Sequence, residues 1–440
     1  MRFFDRTEEI AKLKEIEQLS HDTAQFTVIT GRRRIGKTSL VREAYKDSAY
    51  LYFFVSRKAE TELCQTFQTE IQEKLGIPML GSASRFSEIF SFIMETAKNR
   101  HITLMIDEFQ DFQRVNPSVF SEMQDIWDRN KGQSRINLIV CGSVNSMMNK
   151  IFRDEKEPLF GRQTEMMKVR PFCTSVLKEI MSENAPGFKN EDLLALYLLT
   201  GGVAKYVELL VDKKRLTRDK MLASMLERDS YFITEGKSML IEEFGKEYGI
   251  YFSILTLISQ GVNTRGEIED RLKTEISGYM KKLLEDYELV VKHQPMFEKS
   301  PNKNVRYSLS DKFLQFWFRF IFKYNHIIEA GGHDKLLQKI KEDYPTYSGH
   351  ILEDFFRDRM TESGNYTRIG YWHDRKGHNE IDIIAVDEFS DKLEIYEVKR
   401  QAKELDMNAL RDKSEFFLQI AGDYKYYKIN HIGLSIEDMK

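Results

Sequence analysis

The feature that most constrains this chain is a glycine-rich segment near its start. Residues 31–38 have the sequence GRRRIGKT, which matches G-x-x-x-x-G-K-[ST] at every fixed position. A β-branched, apolar run precedes it at Gln25–Thr30, and a helical pattern follows over Lys37–Tyr45. A strand, a glycine-rich turn and a helix in this order predict a loop whose backbone N–H groups and helix end face phosphate oxygens.

Several positions of this loop have an expected role in binding ATP, while its three arginines are also consistent with simple exposure to solvent. We expect Lys37 to meet the terminal phosphates and the Thr38 hydroxyl to bind Mg²⁺. The remaining predicted nucleotide-binding positions of the loop are Gly31, Arg34, Ile35, Gly36 and Ser39. The segment therefore predicts a site for ATP and Mg²⁺.

Polar residues that follow two later strands complete this site. Asp107 and Glu108 come directly after the apolar run LMI, and Ser143 follows the run INLIVC. In an open α/β sheet, side chains at the carboxyl ends of strands face the bound ligand. We expect Asp107 to hold Mg²⁺ through water, Glu108 to polarise the attacking water and Ser143 to sense the γ-phosphate.

Arg162, in the loop PLFGR, is a candidate for neutralising charge in the transition state. Its spacing is equally consistent with an arginine that is solvated or paired structurally. A catalytic Arg162 acts either within its own chain or across a subunit boundary, and the sequence leaves both open. Action across a boundary requires a homo-oligomer.

The alternation of strand and helix patterns predicts the fold class and the domains. Strand candidates separated by helices indicate an α/β P-loop core with a mostly parallel sheet over residues 1–172. A purely helical pattern predicts a lid over 173–247, and three helices with a β-hairpin predict a winged helix-turn-helix with a linker helix over 248–329. Helix and paired-strand patterns predict an α/β unit over 335–440.

The first half of the chain resembles a known family. FDRTEE, GRRRIGKTSL, LMIDEFQ, VCGS, PLFGR and TGGVAKY together resemble the AAA+-related archaeal and bacterial ATPases of the signal-transduction ATPase group. The resemblance implies a strand order in which the sensor strand, which precedes Ser143, lies between the P-loop strand and the strand that precedes Asp107. It also implies that Glu108 is the catalytic base, that Ser143 is the sensor and that Arg6 lies near the adenine. One departure is that family members usually carry Gly-Gly-x-Pro where this chain has Val203 and Ala204 after its two glycines.

The predicted winged helix has two kinds of possible partner. Basic side chains that could contact DNA phosphates are balanced by acids on the same helices, and residues 251–330 carry a net charge of +2. Winged helices also serve as protein-binding modules, so both DNA and a protein are candidate partners. The basic residues are Arg265, Arg271, Lys273, Lys281 and Lys282 near the recognition helix, and Lys292, Lys299, Lys303 and Arg306 on the wing. The aromatic-rich stretch Tyr307–Ile321 is predicted to be core or a domain interface.

Carboxylates near the C-terminus suggest a second metal site. Asp382 and Glu397 lie on two strands joined by a short loop, so that in-register pairing places them side by side, and Lys399 lies on the same face as Glu397. Two carboxylates that bind Mg²⁺ and a lysine that orients water suffice for metal-assisted phosphodiester cleavage. Glu353 is a candidate further ligand. The segment resembles the restriction-endonuclease-like D…E-x-K fold that follows archaeal-type ATPases, among which some domains bind DNA without cutting it.

Composition and charge limit the class of protein, its compartment and its partners. Of 440 residues 41% are hydrophobic and 31% charged, which fits a folded globular chain. The three cysteines form no metal-binding or disulfide pattern. No window approaches the roughly 20 apolar residues of a bilayer span, and the first residues are charged, unlike a signal peptide. We therefore expect a cytoplasmic protein that does not use a membrane. The net charge of −3 argues against DNA binding, but the −5 of residues 331–440 includes carboxylates that a metal would neutralise.

Two functions remain open. The first is an ATP-hydrolysing multidomain protein that acts on DNA with a metal-dependent nuclease domain. The second is a nucleotide-switched regulator or scaffold whose C-terminal domain is a catalytically silent binding module.

Overall fold

The computed structural model of the protein describes residues 1–78, 81–298, 305–374 and 379–439. The chain divides into two compact units, Arg2–Arg170 and Pro171–Lys440, and Met1 lies with the second. This division falls next to the predicted boundary at 172. The predicted boundaries near 247 and 334 lie inside the second unit.

A parallel sheet forms the centre of the first unit. Its strands are β1 (Gln25–Thr30), β2 (Leu51–Phe54), β3 (Ile102–Asp107), β4 (Ile136–Cys141) and β5 (Glu165–Lys168), in the order β2-β3-β4-β1-β5. All neighbouring pairs are parallel. β3 and β4 are buried along their whole length, which explains their nearly unbroken apolar sequences. The α/β core is confirmed, and β4 lies between β1 and β3 as the family resemblance implies.

Helices connect the strands of the first unit and supply half of its core. They are α1 (Thr7–Leu19), α2 (Lys37–Ala44), α3 (Glu60–Leu75), α4 (Phe86–Thr96), α5 (Phe112–Val115), α6 (Ser118–Asn130) and α7 (Asn145–Arg153). In α3, Leu63, Phe67 and Ile71 recur at helical spacing and are buried on one face. Phe67 stacks on Phe53 of β2 with 4.2 Å between ring centroids, which joins this face to the sheet.

The second unit begins with helices alone, as predicted for the lid. They are α8 (Thr174–Asn184), α9 (Asn190–Thr200), α10 (Ala204–Asp212), α11 (Arg218–Leu226) and α12 (Tyr231–Phe244). Gly201 ends α9 in the left-handed conformation, and Gly202 follows with φ of 73°. A Cβ atom on Gly202 would lie 2.2 Å from the carbonyl oxygen of Phe172, so the second glycine is required by this contact.

Three helices and a hairpin follow. They are α13 (Tyr248–Ser259), α14 (Arg265–Leu272), α15 (Ser277–Glu285), β6 (Val290–His293) and β7 (Arg306–Leu309), with β6 and β7 antiparallel. These are the elements predicted for a winged helix, in the predicted order. Lys299 and Lys303, predicted on the wing, lie outside the described residues.

The last part of the chain combines a long helix with a mixed sheet. α16 (Lys312–Phe316), a π-helical stretch (Trp317–Phe322) and α17 (Asn325–Glu329) lead to α18 (His333–Ser363). The sheet has the order β11-β10-β9-β8, with β8 (Arg368–His373), β9 (Glu380–Asp387), β10 (Lys392–Val398) and β11 (Lys428–Leu434), and α19 (Met407–Leu418) joins β10 to β11. β9 is antiparallel to both neighbours, and β10 and β11 are parallel.

Other sequence expectations concern burial and membranes. The aromatic side chains of the linker, Phe313, Phe316, Trp317, Phe318 and Phe320, are buried, as predicted for a core. Cys64, Cys141 and Cys173 are free thiols. Throughout the described part of the chain, no helix is both long and apolar enough to cross a bilayer.

Candidate functional site

The P-loop connects β1 to α2 through two glycines with positive φ. Gly31 has φ of 141° and Gly36 has φ of 98°, values that side-chain-bearing residues rarely adopt. A Cβ atom on Gly31 would lie 2.6 Å from the carbonyl oxygen of Val169, so this position also lacks room for a side chain. The loop thereby curves to the start of α2, where backbone N–H groups can surround a phosphate.

The side chains of the loop are arranged around this curve. The Lys37 side chain is buried, and its Nζ donates to the carbonyl oxygens of Gly31 (2.8 Å) and Arg32 (3.0 Å). Ile35 is buried and anchors the loop, whereas Arg34 is half-buried and Ser39 is exposed on the first turn of α2.

Thr38 and Asp107 supply oxygen atoms at the same place. The Thr38 hydroxyl donates to Asp107 Oδ2 at 2.6 Å, and the Tyr52 hydroxyl donates to the same oxygen at 3.1 Å. Asp107 Oδ1 accepts from the backbone N–H of Glu108 at 3.0 Å, so the carboxylate is fixed by three donors. Hydroxyl and carboxylate oxygens are the ligands that Mg²⁺ prefers, and these residues fit that ion.

Glu108 is held next to Asp107 by two side chains, those of Ser143 and Gln110. It has φ of 53°, an uncommon value for a residue with a side chain, which turns the chain sharply at the end of β3. Its Oε2 accepts from Ser143 Oγ at 2.7 Å and from Gln110 Nε2 at 2.6 Å. The carboxylate predicted as the base and the hydroxyl predicted as the sensor are therefore in direct contact.

Arg6 lies at the same edge of the sheet as the P-loop. Its side chain is buried, pairs with Glu9 at 3.1 Å and donates to the carbonyl oxygen of Arg170. Arg170 follows β5, whose continuation bonds to the last residue of β1 through Val169 N–H and the Thr30 carbonyl (2.9 Å).

Arg162 lies at the other end of the strands, near the amino ends of β1 and β5. Two residues later Thr164 N–H bonds to the carbonyl of Phe26, at the start of β1. The strand from Phe26 to the P-loop spans roughly 16 Å at the usual rise per residue. Arg162 itself pairs with Asp128 at 3.3 Å, in the last turn of α6. This position separates Arg162 from the phosphate site of its own chain.

The C-terminal hairpin brings Asp382 and Glu397 together. The ladder between β9 and β10 ends at the pair of Tyr396 with Ile383, and Glu397 and Asp382 are the next residues on the two strands. Lys399 Nζ lies 3.6 Å from Asp382 Oδ2 and 3.6 Å from Glu397 Oε1. Asp382 Oδ2 also accepts from the Val398 N–H at 2.8 Å.

Burial and neighbouring negative charges disfavour the ionised forms of the Asp382 and Glu353 carboxylates. Burial, reinforced by the charges of Glu380 and Glu397, raises the pKa of Asp382. Burial and the charge of Asp382 raise the pKa of Glu353 on α18, although a bond from His350 opposes this shift. An adjacent cation relieves such penalties, and at Asp382 that cation is Lys399.

The metal-binding role of these carboxylates stays a prediction. Within residues 1–78, 81–298, 305–374 and 379–439, no group of three or more His, Cys, Asp and Glu side chains is gathered closely enough to hold a metal ion. The lysine lies between Asp382 and Glu397 and is paired with both.

Two family models match the chain. Residues 3–210 match the model of an ATPase domain found predominantly in Archaea. This segment is a P-loop ATPase domain. Residues 317–410 match the model of archaeal and bacterial proteins of unknown function.

Individual relatives and solved structures are similar to larger parts of the chain. An uncharacterised protein of Methanocaldococcus jannaschii is 29% identical over 99% of this chain and 96% of its own length. A Walker-type ATPase of Pyrococcus abyssi has a TM-score of 0.55 at 20% identity, covering 72% of this chain and 96% of that one. The ORC2 protein of Aeropyrum pernix, solved in ADPNP–ADP complexes, has a TM-score of 0.51 at 16% identity, covering 74% and 94%. At these identities the structures show a shared fold.

Sequence analysis missed residues that support the ATPase site and the C-terminal carboxylates. Tyr52 and Gln110 hold Asp107 and Glu108, and Lys413 lies 3.3 Å from Glu397 Oε1. Arg357 donates to the carbonyl oxygen of Asp382 at 3.3 Å. Among these residues, only Gln110 could have been predicted from the sequence, because it lies two residues after Glu108. The other contacts join distant segments.

In the described part of the chain, four of the five basic residues near the predicted recognition helix, all except Arg271, have an acid within ion-pair distance. Arg265 contacts Glu269 (2.8 Å) and Glu275 (3.0 Å), and Lys273 contacts Asp270 (2.7 Å). The remaining pairs are Lys281 with Glu285, Lys282 with Glu247 and, on the wing, Arg306 with Glu380. DNA phosphates would have to compete with these carboxylates.

Proposed function

We propose that the ATPase domain drives a protein that acts on DNA, and that its C-terminal sheet carries a metal-dependent phosphodiester-cleaving site. The observation that carries the proposal is the convergence of Asp382, Glu397 and Lys399 at the register of β9 and β10, with Lys399 Nζ 3.6 Å from each carboxylate.

The ATPase residues have distinct roles in this proposal. Lys37 and the P-loop N–H groups bind the phosphates, and Thr38 and Asp107 hold Mg²⁺, which would neutralise charge on the phosphates. Glu108, oriented by Ser143 and Gln110, positions the attacking water and accepts its proton. Arg6 would contact the adenine, as the family resemblance implies.

An ATPase assay tests these roles. Lys37→Ala removes the phosphate contact and Glu108→Gln removes the base, so each should lower kcat by about 10²-fold or more. Glu155→Gln is the matched control because Glu155 is exposed in a loop after α7. Wild-type turnover no higher than that of the two variants would refute the proposed roles.

At the second site, the proposal assigns metal binding to Asp382 and Glu397, with Glu353 as a further ligand. A metal held there would polarise the scissile phosphate. Lys399, whose pKa the two carboxylates raise against the effect of burial, is a cation at neutral pH and orients a water towards the phosphorus.

Incubation with plasmid and single-stranded DNA in Mg²⁺ or Mn²⁺ tests the second site. Asp382→Ala should abolish cleavage, whereas Asp412→Ala, the same change at an exposed position of α19, should preserve it. Cleavage that persists in Asp382→Ala would point to a contaminating nuclease and against this site.

The ion pairs of the predicted winged helix favour a second candidate function. If Arg265, Lys273 and their neighbours keep their carboxylate partners, the protein is a nucleotide-switched regulator that binds another protein. Absence of both DNA binding and cleavage, with ATP, with ADP and without nucleotide, would select this alternative.

A further inference from the structure

A cleft of about 450 Å³ lies between the hairpin of the predicted winged helix and the C-terminal sheet. Asn263, His293 and Arg306 line one wall, and Glu353, Tyr371 and Asp382 line the other. The cleft therefore contains two carboxylates of the candidate cleavage site, Glu353 and Asp382, whereas Glu397 and Lys399 do not line it. Its opposite wall comes from a different part of the chain.

The width of this cleft is fixed by contacts on both sides. The Met296 N–H, just after β6, bonds to the carbonyl oxygen of Tyr371 in β8 at 2.9 Å. The Met296 side chain belongs to the apolar core of the C-terminal sheet, where a Cβ atom on Gly370 would lie 2.5 Å from it. Arg306 pairs with Glu380 at 3.7 Å, and Lys312 pairs with Asp354. Widening the cleft requires that this core and these pairs separate.

The lining combines groups that bind phosphate with groups that bind bases. Arg306, Arg319 and Arg357 line the cleft together with the carboxylates of Glu353, Asp354, Glu380 and Asp382. Arg319 lies over the ring of Tyr347 at 5.2 Å. Tyr347 is 8% exposed, and its hydroxyl has no hydrogen-bond partner among the described residues. Tyr371, whose hydroxyl also lacks such a partner in that part of the chain, adds a second aromatic ring beside the carboxylates.

We infer that this cleft admits a single strand of DNA, or one unpaired nucleotide, and excludes an intact duplex from Asp382. The inference rests on the proposed function and names the substrate class of that site. A volume of this size suits one small-molecule-sized group. Aromatic rings and arginines in a narrow channel are the groups that hold unpaired bases and their backbone. An intact duplex exposes its bases only through grooves, and a target nucleotide must leave the stack to enter such a pocket.

Fluorescence anisotropy of the full-length protein tests the inference directly. The probes are a labelled single-stranded oligonucleotide and the same sequence closed into a blunt hairpin duplex, both in Ca²⁺ to suppress cleavage. We expect the single strand to bind at least about tenfold more tightly, since stacking on one ring has an effect of that order. Arg306→Glu should remove most of this preference, whereas Arg411→Glu, at an exposed position of α19 outside the cleft, should retain it.

Cleavage of a duplex with a single-stranded overhang in Mn²⁺ separates the two proposals. Cuts confined to the overhang support the inference. Equal binding of strand and duplex, equal cutting of both, or an unchanged preference in Arg306→Glu with normal ATPase activity would overturn it. If no DNA is cut but the binding preference and its loss in Arg306→Glu are found, the nuclease proposal fails and the cleft remains a single-strand site.

Discussion

At the scale of single residues, the nucleotide site depends on contacts that fix charged groups before ATP arrives. Asp107 and Glu108 are adjacent in sequence, but their carboxylates have separate donors: Thr38 and Tyr52 for the first, and Ser143 and Gln110 for the second. Preorganised groups of this kind avoid the cost of reorientation during the reaction. The separation of the two sets allows binding and chemistry to be tested independently.

We predict that Gln110→Leu lowers kcat by about tenfold and leaves the KM for ATP nearly unchanged. Gln110 is buried and donates to Glu108 Oε2, so its loss misorients the proposed base without touching the P-loop. Steady-state ATPase kinetics measure the effect. A large rise in KM with an unchanged kcat would show that Gln110 acts on binding instead.

We also predict that His101 makes folding sensitive to acid. Burial, with the charges of His21 and Arg135, lowers the pKa of His101 from 6.5 to about 4. An unfolded chain protonates this ring near pH 6.5 and the folded chain only near pH 4, so the stability contribution is complete above pH 6.5 and is lost as the pH falls towards 4. Thermal unfolding between these pH values should therefore show a steeper fall for wild type than for His101→Asn. Parallel curves would contradict the prediction.

At the scale of elements, the carboxyl edge of the parallel sheet gathers the ATPase residues. β1, β3 and β4 are neighbours, so the P-loop, the acidic pair and Ser143 emerge side by side. Gly142 lies between β4 and Ser143, at a position with little space for a side chain. A Cβ atom there would lie 2.3 Å from Met148 Sδ and 2.5 Å from Gln110 Oε1.

We predict that Gly142→Ala destabilises the first unit by about 1–3 kcal/mol, the usual cost of overpacking, and lowers ATPase activity by displacing Gln110. Denaturant unfolding and ATPase assays measure the two effects. Gly132→Ala is the matched control, because a Cβ atom at Gly132 meets nothing within 4 Å. Equal stability of the two variants would mean that Met148 moves away at no cost.

In the C-terminal sheet, the register of two neighbouring strands brings the candidate site residues together. Because side chains alternate along a strand, pairing Tyr396 with Ile383 determines that Asp382 and Glu397 share a face. Sequence could predict this pairing from the short loop between β9 and β10. It could not predict that Arg306 and Glu380 meet across a cleft, since the two residues lie on distant elements that the apolar core around Met296 brings together.

At the scale of the whole molecule, the position of Arg162 bears on assembly. It lies at the edge of the sheet opposite the P-loop, so a catalytic Arg162 would have to serve the nucleotide of a neighbouring copy. Closed rings arise when such a head-to-tail contact repeats with rotation. The alternative is that its pair with Asp128 is structural.

We predict that mixing Lys37→Ala with Arg162→Ala restores part of the ATPase activity that each variant lacks alone. In a mixed assembly, the intact P-loop of the Arg162→Ala copy meets the intact arginine of the Lys37→Ala copy. ATPase rates measured against the mixing ratio, with sedimentation of the same samples, test this. No recovery in mixtures that do assemble would assign Arg162 a structural role.

The sequence by itself determined what depends on consecutive residues and on strand alternation. The P-loop binds phosphate through adjacent backbone N–H groups, and Glu397 and Lys399 share a face because they are two residues apart, so both were predictable. Only the tertiary structure decided which partners distant segments provide: Tyr52 and Gln110 at the acidic pair, carboxylates for the basic residues of the predicted winged helix, and the far edge for Arg162. The physical reason is that a local pattern specifies the direction of a side chain, whereas its neighbours are specified by the packing of the whole unit.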